Sequence, residues 1–425
     1  MDTHGSLLAL AVVIAVGVGA PLPSRPLPSS EELEGRAPTA EELRPSVEAA
    51  FQHESYAAGA TASLVFFNSA AAVTLQVFHV GSEAAPTVGN EEMQGVQVTA
   101  RSRVGAVRAG TALRVQFGPW PSGIYFARLQ STDGRLGFAP FVLRPRRLGE
   151  HRVAVVMPTM TWEAYNVRDD DGDGKGDSWY ADWNVHTARL ARPFLDRGVP
   201  YHFRNYDLPF VHWLAAKGYA ADYLADADLD HVANAHRLAR AYDLIVFPGH
   251  HEYVTTHEYD VVEGYRNRGG NLAFLSANNF FWQIQKHGDV MQRTKQWRDL
   301  GRPEAALIGV EYRGNDDGRH RAPWIVRDAQ AGEWLFAGTG LDNGSTFDTG
   351  GIEIDKTASA SPMGVHVLAE IPNLFGRGFT AQMTYYTTPY GAKVFAAGAF
   401  TLAGSVGQPI VAKLLDNLWL YLSRP

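Results

Sequence analysis

Three short segments combine phenol, imidazole and carboxylate side chains at positions that suit chemistry. Gly249–Tyr253 (GHHEY) follows the apolar run Asp243–Pro248 (DLIVFP), and Pro158–Asn166 (PTMTWEAYN) follows the apolar run VAVVM. A third segment, Asn205–Asp207 (NYD), precedes the helix-like stretch LPFVHWLAAKG. Open α/β sheets place their ligand sites beyond the carboxyl ends of the strands. We therefore expect two tyrosines and a glutamate to converge there, with two histidines beside the glutamate.

Residue types and motifs that are absent from the sequence exclude several classes of catalytic site. The chain has no cysteine, which removes thiol nucleophiles, thiolate metal sites, iron–sulfur clusters and disulfides. It has no GxSxG nucleophile turn and no GxxxxGK[ST] phosphate loop. HEYVTTH is not a zinc-binding HExxH motif, because Thr255 stands where the second histidine is required. A catalytic metal must therefore be held by histidine, carboxylate or phenolate groups.

Charge and length restrict the partners and the number of domains. Asp and Glu number 45 and Lys and Arg 38, so the formal net charge is −7. Sequence-independent nucleic-acid binding needs a basic stripe, so we expect no nucleic-acid partner. The 425 residues are 45% hydrophobic, which is enough for two or three domains with a large core.

The elements that must position these side chains fall into two regions. Residues 59–147 contain short runs rich in Val, Phe, Thr and Tyr, spaced about ten residues apart, which predicts an immunoglobulin-like β-sandwich. Residues 150–425 alternate buried-strand runs with helical segments, which predicts a doubly wound, mostly parallel α/β sheet with helices on both faces. No apolar run reaches membrane-spanning length, so we do not expect an integral membrane protein.

The first 58 residues are interpreted as a leader and a linker. Residues 1–20 contain the apolar run LLALAVVIAVGV followed by small residues, which predicts a signal peptide and a secreted or periplasmic protein. A mis-assigned start codon would instead leave the protein in the cytoplasm. Residues 21–58 begin rich in Pro, Ser and Glu and are interpreted as a linker.

The C-terminal half resembles the large-subunit catalytic region of N,N-dimethylformamidase and its relatives. The resemblance covers roughly residues 115–425 and depends on the order of several motifs. These motifs are TWEAYN, NYDLPFVHWLAAKGYAADYL, FPGHHEYVTTHEYDVVEGYRNRGGNLAFLSANNFFWQI, GRPEAALIGVEY, GGIEIDK and MTYYTTPYGAKVFAAGAFTLAG. We therefore expect the α/β region to be glutamine-amidotransferase-like and to hydrolyse an amide or related C–N bond of a small molecule.

The resemblance also implies a mononuclear iron held by two tyrosinates and one glutamate. TWEAYN offers Tyr165, NYDLPF offers Tyr206 and GHHEY offers Glu252, with His250 matching a histidine of the family site. GGIEIDK offers Glu353 as the acid/base. Three anionic hard oxygens suit Fe³⁺, which polarises a carbonyl and lowers the pKa of bound water. Because the formamidase works with a small accessory subunit, either such a subunit or a homo-oligomer is a candidate partner.

A second metal hypothesis comes from the stretch RDDDGDGKGDSW, which follows Tyr165 closely. Its residues match positions 1, 3, 5, 7 and 9 of an EF-hand-like calcium loop. These are Asp169, Asp171, Asp173, the Lys175 carbonyl and Asp177. Tyr180 stands at position 12 in place of the bidentate glutamate, and Asp182 is a candidate for the missing ligand. The sequence thus predicts a Ca²⁺ loop, with a solvated acidic surface loop as the alternative.

Two alternative functions stay open at this stage. The same features describe an exported, non-catalytic protein that binds carbohydrate or a surface and holds only calcium. Two tyrosinates and a carboxylate also suit an enzyme with oxidative or carbohydrate-active chemistry. A metal assay separates the binding protein from the iron enzyme, and a substrate screen separates the two enzymes.

Overall fold

The computed structural model describes residues 38–40, 42–83, 92–182, 184–316 and 318–424. The predicted signal peptide and residues 21–37 of the predicted linker lie outside these ranges. Within the described residues, no helix is both long and apolar enough to cross a membrane.

The described part of the N-terminal region contains nine strands. They are β1 Ala49–Phe51, β2 Ser55–Ala57, β3 Thr61–Phe66, β4 Ala70–His79, β5 Val96–Gln97, β6 Ser102–Val107, β7 Ala112–Gln116, β8 Gly123–Gln130 and β9 Leu136–Arg144. One sheet has the order β1-β3-β7, and the other has the order β2-β9-β8-β4-β5, with β6 also pairing with β4. Apolar side chains of both sheets form one core between them.

The N-terminal region begins earlier than the sequence predicts. Strands β1 and β2 lie inside the stretch interpreted as a linker, so residues 47–58 belong to the folded region. The Phe51 ring packs edge-on against Phe141, with centroids 4.9 Å apart, and against Phe117 at 5.5 Å. Strands of three residues are too short to show an alternating pattern, which is why composition alone assigned them to a linker.

The C-terminal region contains fifteen strands and eight α-helices within the described residues. The strands are β10 Val153–Met157, β11 Thr187–Arg189, β12 Asp222–Ala225, β13 Leu244–Phe247, β14 Tyr253–Thr255, β15 Asn271–Phe274, β16 Trp282–His287, β17 Val290–Gln296, β18 Glu311–Asn315, β19 Arg321–Val326, β20 Thr346–Gly351, β21 Glu353–Lys356, β22 His366–Ile371, β23 Ala381–Thr387 and β24 Lys393–Ala396. The helices are α1 Thr159–Ala164, α2 Leu208–Lys217, α3 Asp226–Asp230, α4 Ala235–Ala241, α5 Thr256–Arg266, α6 Glu304–Ile308, α7 Glu333–Phe336 and α8 Pro409–Leu422. A π-helical turn, Phe203–Asp207, leads into α2, and short 3-10 turns span Asp196–Gly198, Trp297–Leu300 and Ala403–Ser405.

The central sheet has nine strands in the order β12-β10-β13-β15-β24-β23-β22-β19-β20. The pairings from β12 to β24 are parallel, and those from β24 to β20 are antiparallel. The sheet is therefore mixed, whereas the sequence predicts a mostly parallel one. Parallel strands need long, usually helical, crossovers, whereas antiparallel neighbours such as β22 and β23 are joined by a short connection.

Strand β13 shows how the sheet is buried on both faces. Leu244 and Val246 contribute to one apolar cluster, which includes side chains of α2 and α8. Ile245 and Phe247 contribute to another, which includes side chains of α4 and α5. Successive strand residues point to opposite faces, so helices cover both sides of this strand.

The two regions share apolar contacts. Tyr125 and Phe141 of β8 and β9 lie in the core of the N-terminal sheets. Their neighbours Ile124 and Val142 point the other way, into the cluster that contains Val155 of the central sheet. The N-terminal region thus packs directly against the region that carries the candidate site.

Candidate functional site

The ends of two adjacent parallel strands deliver most of the candidate residues. Strand β10 runs into α1, and Tyr165 follows that helix directly. Strand β13 runs into the turn Gly249–Glu252. Gly249 is required in this turn, because a Cβ atom there would lie 2.2 Å from Asp207 Oδ1. The turn can therefore approach the π-helical segment that carries Tyr206.

Tyr165 and Glu252 meet in the interior. The Tyr165 hydroxyl donates a hydrogen bond to Glu252 Oε2 at 3.0 Å, and both residues are buried. The Glu252 backbone N–H donates to Thr161 Oγ1 at 3.1 Å. That bond ties the glutamate to the helix that precedes Tyr165, so the two side chains are held by one rigid unit.

His250 and Glu353 form the second half of the cluster. His250 Nε2 lies 3.1 Å from Glu353 Oε2 and 3.6 Å from Glu252 Oε2. Glu353 opens strand β21, and the preceding residue, Ile352, has a φ of 74°. A β-branched residue rarely adopts this left-handed conformation, and such strain is concentrated at functional sites. The structure thus brings the predicted Tyr165, Glu252, His250 and Glu353 together.

Tyr206 stands at the edge of this group. It lines a small cavity together with Tyr165 and His250, and its ring packs edge-on against Phe400 at 4.7 Å. Its hydroxyl interacts with Arg321, and none of the contacts found among the described residues joins it to Tyr165 or Glu252. Tyr206 therefore lines the same cavity as Tyr165 and His250 but takes no part in the hydrogen bond between Tyr165 and Glu252.

Sequence reasoning missed one phenol of the cluster. The Tyr180 hydroxyl donates to Glu252 Oε2 at 3.0 Å, and its ring stacks on Tyr165 with centroids 4.2 Å apart. The only sequence signal was its unusual place at the end of the acidic loop. A contact that spans 72 positions of the chain has no local pattern by which it could be found.

Two more carboxyl groups flank the site and were also missed. Trp162 Nε1–H donates to Asp207 Oδ2 at 3.0 Å, and burial raises the pKa of Asp207 to about 7. The Asn278 backbone N–H donates to both oxygens of Asp355, and burial raises the pKa of Asp355 to about 8. Both groups act electrostatically on His250, so this imidazole lies in a strongly acidic environment.

Burial dominates the electrostatics of the cluster. It raises the pKa of the Tyr165 phenol well above its usual value, and the charges of Glu252 and Glu353 raise it further. It also raises the pKa of Glu252. Burial lowers the pKa of His250, but the charges of Glu353 and Glu252 outweigh this effect, so the net pKa is raised. Without a bound cation, Tyr165 therefore keeps its proton and His250 favours its charged form.

The donor set fits a hard cation. Glu252 and Tyr165 place a carboxylate and a phenol in contact, and Tyr206 adds a second phenol to the same cavity. His250 Nε2 and Glu353 Oε2 are buried and make no well-formed hydrogen bond to any described residue. A cation beside these groups would favour the phenolate forms and offset the acidic charge. Iron binding itself stays a prediction.

The acidic loop brings together three of its five predicted ligands. Carboxylate oxygens of Asp169, Asp171 and Asp177 lie within 4.8 Å of one another. Asp173 instead accepts a hydrogen bond from the Lys175 N–H at 2.8 Å, and the Lys175 ammonium lies 3.5 Å from Asp182. Calcium binding by this loop therefore also stays a prediction.

Comparison with known proteins gives a family match over most of the chain. A sequence model of the family described as "N,N-dimethylformamidase beta subunit-like, C-terminal" matches residues 90–412. Two curated proteins match parts of the chain at 27% identity, both named N,N-dimethylformamidase beta subunit. The Alcaligenes sp. protein matches over 32% of this chain and 18% of its own length, and the Paracoccus aminophilus protein over 42% and 23%. The matched stretches thus span about a fifth of each relative.

Among solved structures, a superoxide reductase (neelaredoxin) from Ignicoccus hospitalis matches at 8% identity with a TM-score of 0.18. It covers 25% of this chain and 86% of its own. A similarity this low carries no argument about fold or function.

Proposed function

Because this chain belongs to the N,N-dimethylformamidase beta subunit-like family, we propose that it is a metal-dependent hydrolase that cleaves an amide or related C–N bond of a small molecule. The observation that carries the proposal is the buried cluster of Tyr165, Glu252, His250 and Glu353. A structural core rarely gathers a phenol, an imidazole and two carboxylates within contact of one another, because each buried polar group costs desolvation energy.

In this proposal Tyr165, Tyr206 and Glu252 would hold a mononuclear Fe³⁺ ion. When bound, such an ion polarises a carbonyl group and lowers the pKa of coordinated water. Tyr165 and Glu252 support the assignment by their direct contact, and Tyr206 supports it by lining the same cavity. The raised pKa of Tyr165 means that its proton leaves only when a cation replaces it.

The pair His250 and Glu353 would handle protons. His250 Nε2 lies 3.1 Å from Glu353 Oε2, and the charges of Glu353 and Glu252 raise the pKa of the imidazole, so a proton on Nε2 would face this carboxylate. Glu353 can take this proton and return it, so the pair can move a proton at His250 Nε2 without leaving an unpaired buried charge. The departing amine of an amide needs such a donor, and the attacking water needs such an acceptor.

The cavity restricts the substrate. Aromatic rings of Trp162, Tyr201 and Phe400 line it, and its polar lining consists of Tyr165, Tyr206, His250, Thr161, His202 and Asp207. A small, uncharged, carbonyl-containing molecule suits this lining, because burying a charged substrate here would cost desolvation energy. Since the relatives are named beta subunits, we also propose that the chain works with an accessory subunit.

The proposal is tested by metal analysis of the purified full-length chain, followed by a screen of small amides that includes N,N-dimethylformamide. We expect near-stoichiometric iron, a visible phenolate-to-iron charge-transfer band and release of the amine. Tyr165→Phe and Tyr206→Phe should each weaken both the band and the activity. Tyr386→Phe is the matched control, because Tyr386 is a buried phenol whose hydroxyl donates to the Leu307 carbonyl, remote from this cluster.

A colourless protein that holds calcium alone and releases no amine would contradict the proposal. It would instead favour the non-catalytic binding protein. Iron that is retained unchanged by both Tyr165→Phe and Tyr206→Phe would contradict the ligand assignment while leaving hydrolysis open to a direct rate measurement.

A further inference from the structure

We infer that Tyr180 is a positioning residue, whose hydroxyl orients the Glu252 carboxylate from outside the cavity. The inference rests on the proposed function, because it assigns Tyr180 a role at the same site. It starts from one geometric fact: Glu252 Oε2 accepts hydrogen bonds from two phenols, Tyr165 and Tyr180, each at 3.0 Å.

A chain of hydrogen bonds determines which way the Tyr180 proton points. Trp179 Nε1–H, which can only donate, lies 3.1 Å from the Tyr253 hydroxyl oxygen. The Tyr253 and Tyr180 hydroxyl oxygens are 2.5 Å apart. If the Tyr253 proton points to Tyr180, the single proton of Tyr180 remains for Glu252. Every donor in the chain then has an acceptor, which is what burial demands.

Tyr180 and Tyr165 differ in their surroundings, although they share the same carboxylate oxygen. Tyr165 lines the cavity with His250 and Tyr206, whereas Tyr180 does not line it. Tyr180 is buried behind Tyr165 and contacts Tyr253 instead. A phenol with this placement holds a ligand in orientation, as outer groups around metal sites commonly do.

The backbone around Tyr180 is anchored to the same helix that carries Tyr165. The Ser178 hydroxyl donates to the Ala164 carbonyl at the end of α1, and the Tyr180 N–H donates to Ser178 Oγ at 3.3 Å. The Asp177 N–H donates to the Arg168 carbonyl at 2.9 Å, which closes the acidic loop at its base. Tyr180 is therefore placed by Ser178, which joins the end of the acidic loop to the end of α1.

The experiment compares Tyr180→Phe with the parent and with Tyr386→Phe in two separate measurements. The first is iron affinity and the charge-transfer band of the iron-loaded protein. We expect Tyr180→Phe to lower iron affinity by about tenfold and to shift the band, because an outer hydrogen bond to a ligand is lost. Tyr253→Phe should produce a smaller change in the same direction, since Tyr180 keeps its proton but loses the group that orients it.

The second measurement does not need iron. A double-mutant cycle of Tyr180→Phe and Glu252→Gln, followed by denaturant unfolding of the metal-free protein, tests whether the two side chains are coupled. We expect clearly non-additive unfolding midpoints, with additive behaviour for Tyr386→Phe in the same cycle. Additivity of Tyr180→Phe and Glu252→Gln, or unchanged iron affinity and an unchanged band in Tyr180→Phe, would overturn the inference. A parent protein without iron would contradict the proposed function, while the metal-free cycle would still decide the role of Tyr180.

Discussion

Two groups of buried carboxylates lie on opposite sides of the turn Gly249–Glu252, and only one of them has the chemistry of a site. The site cluster consists of Glu252 and Glu353 with His250, Tyr165 and Tyr180. The back cluster consists of Asp226, Glu258 and Glu54 with His251 and Lys286. Burial raises the pKa of both Glu252 and Glu258, so an altered carboxyl pKa does not separate the two groups.

The back cluster has a structural role that its contacts define. Asp226 Oδ2 accepts the Met160 N–H at 2.9 Å, which satisfies a free donor at the start of α1. His251 Nε2 lies 3.7 Å from Asp226 Oδ1, and burial lowers the pKa of His251 to about 3, so this imidazole is neutral. Both carboxylate oxygens of Glu258 lack a hydrogen-bond partner among the described residues.

The site cluster and the back cluster differ in the chemical types of their side chains and in their surroundings. The site cluster combines phenols, two carboxylates and an imidazole whose pKa is raised by those carboxylates, and its members Tyr165 and His250 line a cavity. The back cluster combines carboxylates with a neutral imidazole, and its known contact supports a helix. Burial and raised carboxyl pKa values therefore occur in a candidate site and in a structural cluster alike. The combination of side-chain types distinguishes the two clusters.

The largest expected effect separates the two clusters by activity. Glu252→Gln should lower amide hydrolysis and bound iron by at least about 100-fold, because an anionic ligand is replaced by a neutral amide. Glu258→Gln, the matched change in the back cluster, should leave both within about twofold of the parent. Equal losses in the two variants, measured as amine release and iron content, would show that the clusters are not functionally distinct.

A medium effect concerns stability in the back cluster. Burial and the nearby charges of Asp226 and Asp230 raise the pKa of Glu258 well above its ordinary value of 4.5. The folded protein therefore keeps a proton that the unfolded chain releases, and the free energy of unfolding falls as pH rises above about 4.5. Glu258→Gln removes this loss, so the difference in the free energy of unfolding between the variant and the parent should shift in favour of the variant as pH rises from 4 to 8.

Urea unfolding at pH 4, 6 and 8 measures this difference. A parent and a Glu258→Gln variant whose unfolding midpoints stay parallel from pH 4 to pH 8 would show that Glu258 is not protonated in the folded protein. The back cluster would then differ from the site cluster in its protonation as well as in its donor set.

The smallest expected effect tests a third group of carboxylates, in which Asp171 is exposed and Asp169 and Asp177 are half-buried. If Asp169, Asp171 and Asp177 hold calcium, a concentration ten times the dissociation constant should raise the free energy of unfolding by about 1.4 kcal/mol. Asp171→Asn should remove most of this increase and leave the stability without calcium nearly unchanged. Thermal unfolding with and without calcium, with magnesium as the control ion, measures both quantities.

Most of the local structure could be predicted from the sequence. The runs VAVVM, DYLA, LIVF and NLAF form β10, β12, β13 and β15, and α2 ends at Gly218 with a φ of 66°. Continuous apolar runs and a terminal glycine are signals carried by neighbouring residues, so no tertiary information was needed. The direction of each strand in the central sheet depends on how distant strands pair. The sequence predicts a mostly parallel sheet, whereas the pairings from β24 to β20 are antiparallel.

The candidate site also has features that local sequence signals predicted and features that depend on contacts between distant residues. The order of strands and helices predicted that Tyr165, Tyr206, His250 and Glu252 converge, and the family resemblance added Glu353. Four of these five come together, and Tyr206 lies beside them in the same cavity. Whether iron binds there, and whether the sheet is glutamine-amidotransferase-like or the N-terminal region immunoglobulin-like, stay predictions.

By itself the sequence determined which chemistry is open to this protein. Without cysteine, a catalytic metal must be held by histidine, carboxylate or phenolate groups, and composition alone decides this. Tertiary structure decided that His250 faces the site while His251 faces Asp226, and that Tyr180 reaches Glu252. The physical reason is that adjacent residues in a turn point in different directions, and distant residues meet only when the sheet and the loop have closed.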